Sequence, residues 1–364
     1  MNSVVSTSAT AVFDEQRANE FAERIAGTLD AGAVAVMLSI GHRTGLLDRM
    51  AGMPPATSAE IADACDLNER YVREWLASMV TGGIVEYRPQ GKAYQLPAEH
   101  AASITRQGSL GNLAVYSQHI ALLGAVQDQI LARFESGEGT RYGDYPCFHE
   151  IMAEDSGMTV LSQLFDTLLP LVEGLGERLE QGIDVLDAGC GRGRALTAMA
   201  RRYPRSRFVG YDLCAEAIEY ANRVVEREGL DNIRFEVRDL TDFDDRDCFD
   251  LITSFDAVHD QKDPGTLIGS YFRALRPGGH YLMQDIGGSA YLENNLEFPL
   301  ASMLYAVSCC HCMPISLGQG GKGLGTMWGW ETAEAMLIDA GFNSVERNTL
   351  PHDPTNVWFV STKE

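Results

Sequence analysis

Asp184-Val-Leu-Asp-Ala-Gly-Cys-Gly-Arg-Gly-Arg-Ala-Leu196, followed by Arg207-Phe-Val-Gly-Tyr-Asp212, is the stretch that decides the fold. The apolar residues Ile183, Val185 and Leu186 read as a buried strand. Gly189, Gly191 and Gly193 then let the backbone turn tightly and approach a ligand with no side chain in between. Leu196, Met199 and Ala200 follow at helical spacing, so the glycines fall between a strand and a helix N-terminus. A second strand, Phe208 to Tyr211, ends at Asp212, 19 residues past Gly193. A carboxylate there is placed to accept hydrogen bonds from two ribose hydroxyls, which makes the stretch a nucleoside-binding half-site.

A dinucleotide fold offers the same strand, glycine turn and acidic residue, but not this spacing. Its third glycine stands three positions after the second, a place taken here by Arg194, with Gly193 one step early. Asp187 stands before the first glycine, and the phrase Val185-Leu-Asp-Ala-Gly-Cys-Gly-Arg-Gly193 resembles the first motif of the class I S-adenosylmethionine-dependent methyltransferases. In that family the loop accommodates the methionyl part of the cofactor and needs no pyrophosphate clamp.

The chain has 364 residues, more than one core usually holds, so two domains are expected. A formal charge of -22 speaks against working by phosphate neutralisation, and an acidic surface reads as a device for solubility. Eight cysteines are too sparse for a disulfide scaffold, so reduced thiols are expected. Met1 to Thr10 is small and polar, a tail without the basic start and apolar middle of a signal peptide. No apolar run approaches membrane-spanning length, and the expected location is cytoplasmic with no membrane partner.

Asp14 to Ile40 reads as helices with Gly27 and Gly32 as interruptions. Thr57-Ser-Ala-Glu60 caps a short helix and Asn68 a longer one, and Ile84 to Tyr87 and Ala93 to Leu96 form a hairpin around Pro89-Gln-Gly91. Helix, helix, hairpin is the winged-helix pattern. Between Asp30 and Thr105, however, six basic residues face nine acidic ones, and Glu69 and Glu74 offset Arg70 and Arg73 on the would-be recognition helix. Nucleic acid is therefore a poor partner. The arrangement looks like that of small-molecule methyltransferases, in which such a module pairs subunits, and this implies a homodimer through the N-terminal domain.

Leu110 to Phe134 and Met158 to Leu179 read as helices around an aromatic loop, Arg141-Tyr-Gly-Asp-Tyr-Pro-Cys-Phe-His149. Tyr142, Tyr145 and Phe148 serve either as core or as a cover over the cofactor or acceptor. From Ile183 onward strands and helices alternate, with strands at Ile233 to Val237, Phe249 to Phe255 and His280 to Ile286, the last entered by an Arg276-Pro-Gly-Gly279 turn. Ser344 to Leu350 and Asn356 to Thr362 pair as a final hairpin. The fold class is thus α/β, a Rossmann-like, doubly wound, seven-stranded sheet with a terminal antiparallel strand, preceded by a mainly helical winged-helix domain. Domain bounds fall at 1–105, at 106–180 for a helical linker contributing to the active-site cover, and at 181–364, with a lid insertion at 287–330. The phrases Phe255-Asp-Ala-Val-His-Asp-Gln261 and His311-Cys-Met313 are similar to the branch of bacterial methyltransferases with an N-terminal winged helix.

That resemblance implies the cofactor S-adenosyl-L-methionine, bound by Asp187, Gly189, Cys190 and Gly191 at the methionyl end, Asp212 at the ribose, Leu213, Asp239 and Leu240 at the adenine, and Phe255 and Asp256 near the sulfonium. His259, after the fourth strand, is the candidate general base, because its ordinary pKa suits proton removal near neutrality. Asp260 is its candidate orienting partner, and Asp285 a second candidate at the acceptor pocket. Ser308-Cys-Cys-His-Cys-Met313 makes a poor zinc site, since no second cysteine pair is nearby, and no metal is expected. His311 and Cys312 are candidates for a catalytic and a pocket-lining role, against plain burial. The function expected is methyl transfer to a thiol or hydroxyl of a small molecule. A cofactor-sensing winged-helix transcription regulator and an NAD-dependent dehydrogenase stand as alternatives.

Overall fold

Residues 13–364 are described by a computed structural model, which builds two units, one ending at Ile120 and the other running from Ala121 to Glu364. The tail read at Met1 to Thr10 lies outside the described residues.

In the first unit, helix α1 (Glu15–Arg43) starts where the Asp14 carboxylate accepts the Arg17 amide. It runs unbroken through Gly27 and Gly32, contrary to the expected interruptions. Each glycine costs a helix only about 1 kcal/mol, and 29 residues of continuous ladder absorb both. After α2 (Leu46–Met50) come β1 (Ala56–Thr57), α3 (Ser58–Cys65) and α4 (Glu69–Thr81), then β2 (Glu86–Arg88), β3 (Ala93–Gln95) and α5 (Ala98–Ile104). The caps are those the sequence announced: Thr57 and Glu60 form a reciprocal capping box, and Asn68 accepts the Arg70 amide. The strands form a small antiparallel sheet in the order β1-β3-β2, and Leu47, Ile61, Leu76 and Met79 are fully buried beneath it, as a winged helix requires.

Helix α6 (Ala114–Ser136) leads into the second unit and starts later than expected, because Gly111 adopts a left-handed backbone (φ 98°) just ahead of it. The single helix expected from Met158 to Leu179 does not form. After α7 (Phe148–Thr159) come short tight and wide turns over 161–171, and only then α8 (Leu175–Gln181). Pro170 has no amide to donate, and Gly174 turns left-handed at φ 70°.

The large sheet comprises β4 (Asp184–Ala188), β5 (Arg207–Asp212), β6 (Ile233–Val237), β7 (Phe249–Phe255), β8 (Leu275–Ile286), β9 (Ser344–Leu350) and β10 (Asp353–Thr362). Their order is β6-β5-β4-β7-β8-β10-β9, with β10 antiparallel to both neighbours and the first five parallel. Arg276 to Gly279 is a bulge inside β8, since Leu275 pairs with Phe249 and His280 already with Leu251.

Side chains alternate between two buried layers. Leu186, Val209, Ile252, Tyr281 and Phe359 pack under α11 (Pro264–Ala274) and α14 (Trp330–Ala340). Val185, Phe208, Leu251, Leu282 and Trp358 pack with α8, α9 (Arg194–Arg202) and α10 (Ala215–Glu228) on the opposite face. Strands covered on both faces explain the near-continuous apolar runs of the sequence. The strand order reverses at β4, with β5 on one side and β7 on the other, and this opens a crevice at the carboxyl ends of those strands.

The insertion after β8 folds into α12 (Ala301–Val307), a wide turn at Ser308–Cys312 and α13 (Met313–Gly318). The Thr140 amide donates to the Pro314 carbonyl and ties the aromatic loop to it. Two helical stretches, Glu15–Arg43 and Ala301–Gly318, are long and apolar enough to cross a membrane by length and composition alone, which corrects the expectation that none would be. The core helices of soluble proteins pass the same test.

Candidate functional site

The crevice is built first by backbone. Gly189 (φ 78°) carries its loop so close to the next turn that a Cβ would stand 2.5 Å from that of Ala257. Gly193 (φ 66°) caps α9 with the Phe235 ring 2.2 Å from the place of a Cβ. Neither position tolerates a side chain, which is the physical meaning of the glycines at these two sites. The loop is pinned by the Gly189 and Cys190 amides, both donating to the Tyr211 carbonyl.

Asp212 completes the pin. Its two oxygens accept the Gly191 amide and the Cys214 amide, each at 2.8 Å, so the end of β5 and the glycine loop are one rigid piece. Each oxygen keeps a second lone pair for a ligand hydroxyl. Burial raises the Asp212 pKa above the ordinary value, with the two backbone donors opposing the shift. Asp187, buried behind the loop, accepts the Thr253 hydroxyl at 2.7 Å, and burial pushes its pKa up to about 7.

The structure divides the remaining cofactor candidates. Cys190 sits in the pinned loop, partly buried against the core beneath it. Leu213 is half exposed beside Asp212, free to cover a planar base. Asp239 caps the turn at Leu240–Asp242, accepting the Thr241 amide and hydroxyl, while Leu240 is buried in the core and does not present a surface. Phe255 packs on Trp358. Asp256 follows it with a left-handed backbone (φ 54°), a strained conformation for a residue with a side chain, and its buried Oδ1 meets no donor among the described residues.

On the acceptor side the structure corrects one expectation and adds a residue. Asp260 does not orient His259. Its carboxylate accepts the Tyr142 hydroxyl at 2.5 Å and the Gln261 amide, because adjacent side chains on a turn diverge. The orienting group is Asp285 at the end of β8, whose Oδ1 lies 2.9 Å from His259 Nδ1. The same oxygen accepts Trp328 Nε1 at 2.9 Å and the Ile286 amide at 2.8 Å. Sequence reasoning passed over Trp328. The only signal was an indole, which has one N–H to place, inside a glycine-rich segment.

His259 is buried, and burial alone would lower its pKa. The charges of Asp285 and Cys312, with the hydrogen bonds that His259 makes to both, carry it well above the ordinary value. Burial raises Asp256 to about 7 and Asp260 above its usual range, and lifts Tyr142 further, with help from the charge of Asp260.

His311 is brought close but differently employed. Its ring stacks on Phe148 (centroids 4.0 Å apart), meets the edge of Tyr145, and has Nδ1 3.5 Å from Cys312 Sγ. Tyr145 is buried and donates to the Cys310 carbonyl, so it serves the core, whereas Tyr142 reaches into the polar cluster. All eight cysteines are free thiols. Asp256, His259 and Asp285 hold ligand-capable atoms within 4.8 Å of one another, a grouping that the expectation of no metal had not foreseen.

A seven-stranded sheet reversed only at β10, a glycine-rich loop after β4 and a carboxylate at the end of β5 define the class I S-adenosylmethionine-dependent methyltransferases. Residues 179–336 match the model of a methyltransferase domain and residues 32–106 that of an Rv2258c-like winged HTH domain, so the chain joins a methyltransferase domain to an N-terminal winged-helix domain. The crystal structure of human N-acetylserotonin methyltransferase in complex with SAM superposes with a TM-score of 0.67 at 17% identity, covering 97% of this chain and 99% of that one. A candidate O-methyltransferase from Nostoc punctiforme superposes with a TM-score of 0.70 at 17% identity, covering 94% and 98%. At such identities the likeness is one of fold. The fatty-acid O-methyltransferase of Mycolicibacterium smegmatis is 30% identical over 105 residues, 29% of this chain and 38% of that one. The chain spans less than two fifths of the first curated relatives it matches.

Proposed function

We propose that this protein transfers the methyl group of S-adenosyl-L-methionine to a heteroatom, hydroxyl or thiol, of a small acceptor, and that His259 receives the acceptor's proton. Bound S-adenosylmethionine supplies a methyl group already activated on a sulfonium. The residues present suit it: a glycine loop with open space beside Gly191, a pinned carboxylate at Asp212 for the ribose, and the Asp256 Oδ1, which accepts no hydrogen bond among the described residues, where positive charge is welcome.

The observation that carries the reading is the buried His259–Asp285 pair on the same edge of the sheet as the glycine loop. Asp285, locked by Trp328 and the Ile286 amide, fixes the ring. A cation entering beside Asp256 disfavours the imidazolium and favours the neutral ring, which then takes a proton from the acceptor. Tyr142 and Asp260 close the cluster against water, as a charged reaction centre requires. Positioning supplies the rest of the rate, with roughly 7 to 11 kcal/mol available from orientation in favourable cases.

We read 106–180 and 287–330 as the cover over this site, the compartment as the cytoplasm, and the N-terminal domain as a dimerisation module. Exposed Phe21, Ile25, Leu29, Val36 and Ile40 along α1 support the last reading, since they offer an apolar face with no cover among the described residues. The test is turnover of labelled S-adenosylmethionine against a panel of phenols, thiols and carboxylates. Product formed with one class, and lost in His259→Ala, supports the reading. A shift of genomic DNA fragments in a gel without turnover favours the regulator instead.

A further inference from the structure

We propose that Asp256, His259 and Asp285 form a binding site for a first-row divalent transition cation such as Zn2+, and that its occupancy switches off the base. The three side chains stand at the carboxyl ends of β7 and β8, with ligand-capable atoms within 4.8 Å of one another. His259 Nδ1 lies 2.9 Å from an oxygen of Asp285 and 3.8 Å from one of Asp256. Two carboxylates converging on one imidazole nitrogen demand a positive species between them, either a proton or a metal ion. A cation held at about 2.1 Å from each ligand needs them within about 4.2 Å of one another, and both His259 contacts meet that bound.

An independent observation points the same way. Asp285 is 0% exposed, and while its Oδ1 collects three donors, its Oδ2 is buried and meets none among the described residues. The buried Oδ1 of Asp256 meets none either. Buried acceptors without partners are rare, and a bound cation supplies the positive partner that such an oxygen lacks.

The donor set chooses the metal. One imidazole nitrogen and two carboxylates suit zinc and its first-row neighbours better than magnesium, which prefers oxygen and retained water. Three protein ligands leave a fourth position open. Trp328 Nε1 and the Ile286 amide supply the outer hydrogen bonds that hold a ligating carboxylate in place. Binding displaces the proton from Nδ1 to solvent and changes no oxidation state. The metal and the proton compete for one nitrogen, so the occupied site has no base.

The switching half rests on the proposed methyl transfer, whereas the binding half does not. Chelator-treated full-length protein is titrated with Zn2+ by calorimetry and with Co2+ by visible absorption. One equivalent should bind, and His259→Ala and Asp285→Asn should each weaken binding at least about 100-fold. Retained S-adenosylmethionine binding and near-ultraviolet circular dichroism show that the variants are folded. His149→Ala, in the separate His149, Cys214 and Glu216 group, should leave the affinity unchanged. Absence of saturable binding, or undiminished binding in both His259→Ala and Asp285→Asn, overturns the site. Undiminished methyl transfer at saturating Zn2+ overturns the switch. A protein that binds Zn2+ as expected but methylates no acceptor tells against the proposed reaction and leaves the site standing.

Discussion

The two halves of the crevice are held by different means. On the cofactor side, the glycine loop and Asp212 are fixed by backbone amides that lie within 25 residues of one another in the chain, from Gly189 to Cys214. On the acceptor side, His259, Asp285 and Trp328 come from three segments spread over 69 residues and are joined to one another by side-chain hydrogen bonds. Local backbone geometry leaves a pattern in the sequence, and an assembly of distant side chains does not.

The sharpest way to break this comparison is His259→Ala. If the acceptor side does chemistry and the cofactor side does binding, kcat should fall about 10^2- to 10^4-fold, with S-adenosylmethionine affinity changed less than about threefold. Single-turnover rates and calorimetric titration together measure both. A lost affinity with an unchanged single-turnover rate would reverse the division of labour.

Asp212→Ala makes the complementary cut. Removing the carboxylate forfeits ligand hydrogen bonds and also frees the Gly191 and Cys214 amides, so the loop loses its pin. Hydrogen bonds to a charged group contribute about 1.5 to 3 kcal/mol, and affinity for S-adenosylmethionine should drop roughly 10- to 100-fold. Affinity equal to the wild type in calorimetry defeats the ribose assignment.

This contrast explains how far the residues alone could be read. The alternating strands and helices and the final hairpin follow from apolar runs punctuated by Gly193 and the Arg276 to Gly279 turn, whereas the strand order emerges only in the fold. The cofactor edge follows because positive-φ glycines and a strand-end aspartate are local signals. His259 was visible as a titratable residue after a strand, but its partner was not. Asp260 is adjacent in sequence and points elsewhere, while Asp285 is reached only once β7 and β8 lie side by side. Leu240 and Tyr145 went to the core because an apolar side chain carries no mark of whether it faces a ligand or its neighbours. The broken segment over 161–171 shows the limit of periodicity, since one proline and one glycine override a run of well-spaced leucines.

Trp328→Phe sharpens the acceptor side by keeping the ring and deleting its one donor. Asp285 then loses one of three hydrogen bonds on Oδ1, and its charge, shared among fewer donors, holds the His259 proton more tightly. The acidic limb of the kcat–pH profile should move to higher pH by up to about one unit, and kcat near neutrality should fall roughly threefold to tenfold. A limb that stays in place while kcat falls would mean that the indole only fills space.

The remaining effect belongs to Asp187, behind the glycine loop, and it is one of stability and not of activity. Burial raises its pKa from 3.8 to about 7, so the folded chain keeps a proton that the unfolded chain has already released. Between those two values the native state binds more protons than the unfolded state, and stability falls as pH rises. From about pH 5 to about pH 7 the loss from this one group is on the order of 2 to 3 kcal/mol, and above that range it levels off. Asp187→Asn has no proton to lose, so its stability relative to the wild type should climb by that amount between about pH 5 and about pH 8 in urea unfolding of the cofactor-free protein. A constant difference across that range would mean that Asp187 is ionised in the fold and that the Thr253 hydroxyl, not a retained proton, settles its charge.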